Sequence, residues 1–99
     1  MNIYQKILRQ ARKQIANGEA EFICWAIDDV SYWDEDPVVV YAGERIKEFI
    51  EGGLNDWHTL EMWLRRDANI PDRLLTRKNM KAYRLRYIDH LMEVFKNVK

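Results

Sequence analysis

At 99 residues, 47% of them apolar, the chain has material for one hydrophobic core. Four Gly and two Pro disfavour a turn-rich β-sandwich or a disordered chain, and the longest apolar run is far too short to span a bilayer. The net charge of zero, from 16 basic and 16 acidic residues, conceals a segregation: residues 1–18 sum to +4, 19–36 to −7, 37–61 to −3 and 62–99 to +6. Two basic ends thus flank an acidic middle. Either the ends fold back and neutralise the middle, or one patch stays outward and meets a partner.

The first residues lack the apolar run of a signal segment, and the single cysteine, Cys24, can form no internal disulfide. Both features point to a soluble protein of a reducing cytosol. The spacing of Ile3, Ile7, Leu8, Ala11 and Ile15 predicts a first helix from Ile3 to Asn17, with Asn2 as N-cap and Gly18 as its stop. Its basic residues fall mostly opposite that stripe and read as a solvated face. It carries too few bulky apolar residues for a membrane-surface helix.

A second helix is predicted from Glu19 to about Tyr32. Phe22, Ala26, Val30 and Trp33 share one side, Ile23 and Ile27 sit beside it, and Trp25 and Tyr32 project elsewhere. Glu19 and Glu21 would suit the positive end of its dipole. Phe22–Ile27 also fits a buried strand, but no second strong strand is available to pair with it. A loop over Trp33–Pro37 follows. Asp36-Pro37 then starts a third helix, running to about Glu51 and burying Val39, Ala42, Ile46, Phe49 and Ile50. Residues 38–41 are β-branched enough to begin as extended chain instead. Gly52-Gly53 would end this helix.

Asn55 to Ala68 holds a shorter fourth helix, capped by Thr59, with Leu60, Trp63 and Leu64 inward. After a connection through Pro71, the long last helix is predicted over Thr76–Val98. One stripe carries Met80, Tyr83, Tyr87, Leu91, Val94 and Val98, and an adjacent one Leu85, Ile88, Met92 and Phe95. An apolar arc that wide has to be covered by several neighbours. The expected fold is therefore all-α, a single compact helical domain over residues 1–99, with four to five helices packed around a long C-terminal helix.

Arg84 is the most informative polar residue. It falls inside the apolar arc, where an unpaired guanidinium is very costly. A carboxylate has to meet it, and Asp29 on the second helix is the first candidate, with Asp28 next. Arg73, Arg77, Lys78 and Lys81 crowd the start of the last helix, the pole that disfavours cations. They form a candidate basic partner surface, whose acid is the chain's own Asp34–Asp36 loop, a phosphate or an acidic protein. Asp34, Glu35 and Asp36 form the complementary candidate acidic surface. His58 and His90 have no ligand spacing around them, so no metal is expected, and His90 reads as solvated. Cys24 reads as a small core residue. There is no phosphate loop, nucleophile elbow or triad. No enzyme activity and no cofactor are expected.

Three stretches, Phe22-Ile23-Cys24-Trp25-Ala26-Ile27, His58-Thr59-Leu60-Glu61-Met62-Trp63-Leu64 and Tyr83-Arg84-Leu85-Arg86-Tyr87-Ile88-Asp89-His90-Leu91, together resemble small uncharacterised proteins of bacteriophages and prophages. The resemblance covers about residues 20–95 and brings no active site. It implies an accessory product, in the cytoplasm of a bacterial host, that binds and redirects a host protein, including components of host defence. The leading expectation is thus a non-enzymatic phage accessory protein that inhibits a host defence or nucleic-acid-processing system through an unidentified host protein. The alternative is a nucleic-acid-binding module using Arg65–Arg86, and a third reading is a homo-oligomeric structural subunit. No membrane partner is expected.

Overall fold

The computed structural model describes residues 1–50 and 56–98. Five α-helices follow in order: α1 Ile3–Ala16, α2 Ile23–Ser31, α3 Pro37–Ile50, α4 Trp57–Arg66 and α5 Met80–Val94, with 3-10 turns at Asp72–Leu74 and Arg77–Asn79 before α5. No strand occurs among the described residues, and residues 38–41 are helical from their start. The radius of gyration, 13.1 Å, is that of one compact domain of this length.

The ends of α1 follow from its sequence. The Asn2 side chain accepts the Gln5 backbone N–H at 2.9 Å while Gln5 Oε1 accepts the Asn2 N–H at 3.2 Å, a reciprocal capping box. At the other end Gly18 takes φ +77°, and the Glu19 N–H reaches the Gln14 carbonyl at 2.8 Å, the left-handed stop that glycine permits. Asn2 also donates its amide to the carbonyls of Phe95 and Lys96, at 2.6 and 3.1 Å. It therefore ties the start of α1 to the end of α5 and satisfies carbonyls that a helix end leaves over.

Leu8 and Ala11 of α1, Ile23, Ala26 and Ile27 of α2, Ile46 of α3, Leu60 and Leu64 of α4, and Ile88 and Leu91 of α5 are wholly excluded from solvent. Burying each large aliphatic side chain contributes about 1.5–3 kcal/mol, which is what holds the helices together. The long C-terminal helix packs on α1 and α4, and α1 in turn packs against α2, α3 and α5. Central position is thus shared between the last helix and the first. The buried side of α5 runs between the two expected stripes, through Met80, Arg84, Tyr87, Ile88, Leu91 and Phe95, while Val94 stays exposed.

α2 and α3 approach unusually closely. A Cβ added at Gly43 of α3 would overlap Ser31 Oγ and lie 2.7 Å from Ser31 Cβ on α2. Ser31 is itself buried and turns its hydroxyl back to donate to the Ile27 carbonyl at 2.7 Å. The expected stop at Gly52-Gly53 and the end of the third helix at Glu51 lie outside the described residues.

Four local expectations need correction. Phe49 of α3, expected inward, is 48% exposed. α2 begins at Ile23, so Glu19 and Glu21 precede its first turn rather than forming it. It ends at Ser31, so Trp33, expected on the core side, leaves the helix and is 80% exposed. Thr59 does not cap α4; its hydroxyl donates at 2.5 Å to the carbonyl of Ile50, the last described residue of α3. The N-cap of α4 is Asp56, whose side chain caps nothing in its own helix.

Candidate functional site

Asp56 has turned inward and is completely buried. One of its oxygens accepts the backbone N–H of Ile23 at 2.9 Å, at the N-terminus of α2. Both oxygens accept Arg84 Nε, at 3.0 and 3.2 Å. The expectation that Arg84 needs a carboxylate is met, but the partner is Asp56 and not Asp29, which is exposed. Asp28 is engaged elsewhere, with Lys47 of α3 at 2.5 Å. The reason lies in the depth of the site. Asp28 and Asp29 sit toward the rim of α2, whereas Asp56 comes in from α4 beneath the first turn of α2. There it also satisfies an orphan N–H and meets the positive helix pole.

The Arg84 guanidinium stacks 5.0 Å from the centre of the Phe22 ring, and the residue is only 7% exposed. Only its Nε is used by Asp56. Its two terminal nitrogens have no acceptor among the described residues. Arg84 lines a cleft of about 580 Å³, whose walls include Phe22, Trp57, Leu75 and Met80. The charged lining of that cleft is Arg77, Lys81, Arg84 and a single acid, Glu21. A second cleft of about 260 Å³, bordered by Ile15, Gly18 and Ala20, shares Glu21, Lys81 and Arg84 with the first.

Of the candidate basic residues, Arg77 and Lys81 reach this cleft, while Arg73 and Lys78 are exposed outside its lining. Among the described residues none of the four forms an ion pair, with Asp34–Asp36 or otherwise. The acidic loop instead folds on itself: Asp34 accepts the Asp36 N–H and Asp36 the Val38 N–H, each at 2.9 Å. The basic ends therefore do not close onto that loop. Arg12 pairs with Asp89 of α5, and Arg65 with Glu61 and Asp72.

Asp34, Glu35 and Asp36 are all exposed, and they continue an aromatic ridge. Trp25 of α2 and Tyr32, its C-cap with helical backbone angles, are seven residues apart and therefore on one face; each is 50% exposed, with Asp29 between them. Trp33 meets Tyr32 edge to face at 4.7 Å between ring centres. Val38 and Tyr41 of α3 add further exposed apolar surface.

His90 is not the solvated imidazole expected, since it lies 5.1 Å from the Trp63 ring and 5.9 Å from Tyr87. Among the described residues no three His, Cys, Asp or Glu side chains gather as metal ligands, and no helix is long and apolar enough to cross a membrane. Cys24 is buried, and its thiol pKa is pushed from 9.0 up to about 11, first by burial and then by the negative charges of Asp56 and Asp28. At pH 8 the native thiol should react with an aromatic disulfide roughly 100-fold more slowly than the unfolded thiol, from thiolate fraction alone. Above pH 9 the unfolded thiol ionises while the folded one keeps its proton, so stability should fall as pH rises to about 11. Cys24→Ser should remove that part of the slope. Equal labelling of native and urea-unfolded protein would show that the thiol is not shielded.

Sequence reasoning missed Asp56, Phe22 and Trp57 as members of this site. The available signal was an acid directly before the fourth helical run, where an N-cap belongs. Neither protein-family models, nor curated protein sequences, nor solved structures give a match to this chain.

Proposed function

We propose that the protein is a non-enzymatic accessory protein that binds a basic surface on a host protein through the ridge Trp25–Tyr32–Trp33 and the carboxylates of Asp34, Glu35 and Asp36, and that this binding inhibits the host protein. The carrying observation is the 80% exposure of Trp33, packed edge to face on a half-exposed Tyr32 whose ring also carries Lys47 at 5.9 Å, with the exposed Asp34, Glu35 and Asp36 following in the chain. Large aromatics held at the surface cost solvation and are the side chains that dominate protein interfaces. The carboxylates repel phosphate and attract Lys and Arg, which favours a basic protein over nucleic acid for this face. Its phage origin and bacterial cytoplasmic setting rest on the sequence resemblance alone.

The test is affinity capture from bacterial lysate with the native chain, with Trp33→Ala and with Asp34, Glu35 and Asp36 changed together to Lys. The native chain should retain a protein with a basic surface. Trp33→Ala should weaken its binding by about 2 kcal/mol, roughly 30-fold, with folding stability changed by no more than about 0.5 kcal/mol. Identical capture by all three chains would refute the assignment of this face. A second reading, nucleic-acid binding through the Arg65–Arg86 region, is supported by the absence of ion pairs at Arg73, Arg77, Lys78 and Lys81 among the described residues. DNA association that weakens steeply with salt would favour it.

A further inference from the structure

The leading host-protein reading does not use the cleft at the start of α5, although Phe22 of its wall meets Trp25 of the ridge edge to face at 5.8 Å. Three cations, Arg77, Lys81 and Arg84, line it at positions i, i+4 and i+7, against one acid, Glu21. Like charges at that spacing repel, and they sit by the helix pole that disfavours cations. Arg84 is the decisive one. Its side chain is more than nine-tenths buried, its orientation is set by Asp56 on Nε and by Phe22 on its face, and its terminal N–H groups have no acceptor among the described residues. Asp56 neutralises the guanidinium through Nε alone, so the terminal N–H groups are left open as donors. A guanidinium held by its Nε presents its other edge as a fixed fork for an oxyanion.

We propose that this cleft binds a nucleotide-sized phosphate ester, with the phosphate on Arg77, Lys81 and Arg84 and the flat ring against the apolar wall formed by Phe22, Trp57, Leu75 and Met80. Three cations against Glu21 and the Asp56 paired to Arg84 leave a net charge of +1, so an oxyanion is favoured, and the open fork of Arg84 suits a phosphate. The volume of about 580 Å³ exceeds what inorganic phosphate needs and falls within the usual range for small-ligand pockets. A mononucleotide and the phosphorylated end of an oligonucleotide share this chemistry. The proposal does not depend on the host-protein reading.

Calorimetric titration and amide NMR of the full chain test it, with adenosine monophosphate, the other nucleoside monophosphates, inorganic phosphate, adenosine, and a short single-stranded DNA with and without a 5′-phosphate. At least one nucleoside monophosphate should bind saturably and shift the Trp57 indole and Arg84 Nε–H signals. Adenosine and inorganic phosphate should each bind at least roughly tenfold more weakly. Binding by the 5′-phosphorylated oligonucleotide alone, among the two DNAs, identifies a chain end as the source. Arg77→Ala with Lys81→Ala changes only exposed residues, so it should leave the unfolding midpoint in place and cut affinity at least roughly tenfold. Arg84→Lys, if folded, should do the same, because the fork is lost while the charge remains. No saturable binding up to concentrations on the order of millimolar overturns the proposal. So does equal affinity in the double variant, or equal binding of phosphorylated and unphosphorylated DNA without any mononucleotide binding.

Discussion

Asp56→Ala should destabilise the protein by about 3–5 kcal/mol, the loss expected when one member of a buried ion pair is removed. For a domain of this size, with about 5–15 kcal/mol of total stability, that is a large share. The magnitude follows from what Asp56 holds. Its carboxylate is fully buried, Arg84 beside it is nearly so, and the same carboxylate accepts the Ile23 N–H. Alanine leaves a guanidinium without its charge partner and an orphan donor at the start of α2. Arg84→Met should cost less, because Asp56 keeps the Ile23 N–H and the positive pole of α2. Joining Asp56→Leu with Arg84→Met removes both charges and should recover more than about 1 kcal/mol relative to Asp56→Ala, since an apolar pair of similar volume often replaces a buried ion pair at little cost. Urea unfolding followed by circular dichroism gives all three values. A loss below about 1 kcal/mol for Asp56→Ala would mean that the carboxylate is reached by water and the pair is not buried.

The second large effect is expected at Gly43. A methyl group there would overlap Ser31 Oγ and lie 2.7 Å from Ser31 Cβ, and the latter atom is fixed to the α2 backbone. Rotating the serine cannot relieve that contact, so α2 and α3 would have to separate. Overpacking of this kind costs about 3 kcal/mol. Alanine recovers about 1 kcal/mol of helix propensity over glycine. The net expectation for Gly43→Ala is a loss of about 2 kcal/mol, or about 10 °C in melting temperature for a domain of this length. Ser31→Gly removes the obstructing carbon, so the two substitutions together should be coupled by at least about 1 kcal/mol. Strict additivity in thermal melts would show that the helices part without strain, and that the close approach is not a structural requirement.

Much of the helical architecture was legible in the residue pattern. Asn2 and Gly18 mark the ends of α1, and Asp36-Pro37 marks the start of α3. The apolar spacing places Ile7, Leu8, Ala11, Ile46, Leu60 and Leu64 in the core. Such signals are legible because a cap, a glycine stop or an apolar repeat acts within a few residues of itself. Trp33 was misplaced because a wheel extends a helix that Ser31 ends, and His90 because its cover, Trp63, comes from another helix. The same limit applies to the cleft. The basic cluster before α5 was visible as composition, but not its meeting with Phe22 and Trp57, which arrive from α2 and α4.

The sequence alone established an all-helical chain with a broadly apolar last helix, and it required that Arg84, inside that helix's buried arc, meet a carboxylate. Tertiary structure alone decided which carboxylate. Asp56 stands 28 positions away and Asp28 and Asp29 are on a neighbouring helix, so no periodicity ranks them. The choice is made by how deeply α4 carries its N-cap residue beneath the open N–H groups of α2. There a negative charge is stabilised by a helix pole, a peptide N–H and a guanidinium at once, whereas at the rim of α2 water would serve it nearly as well.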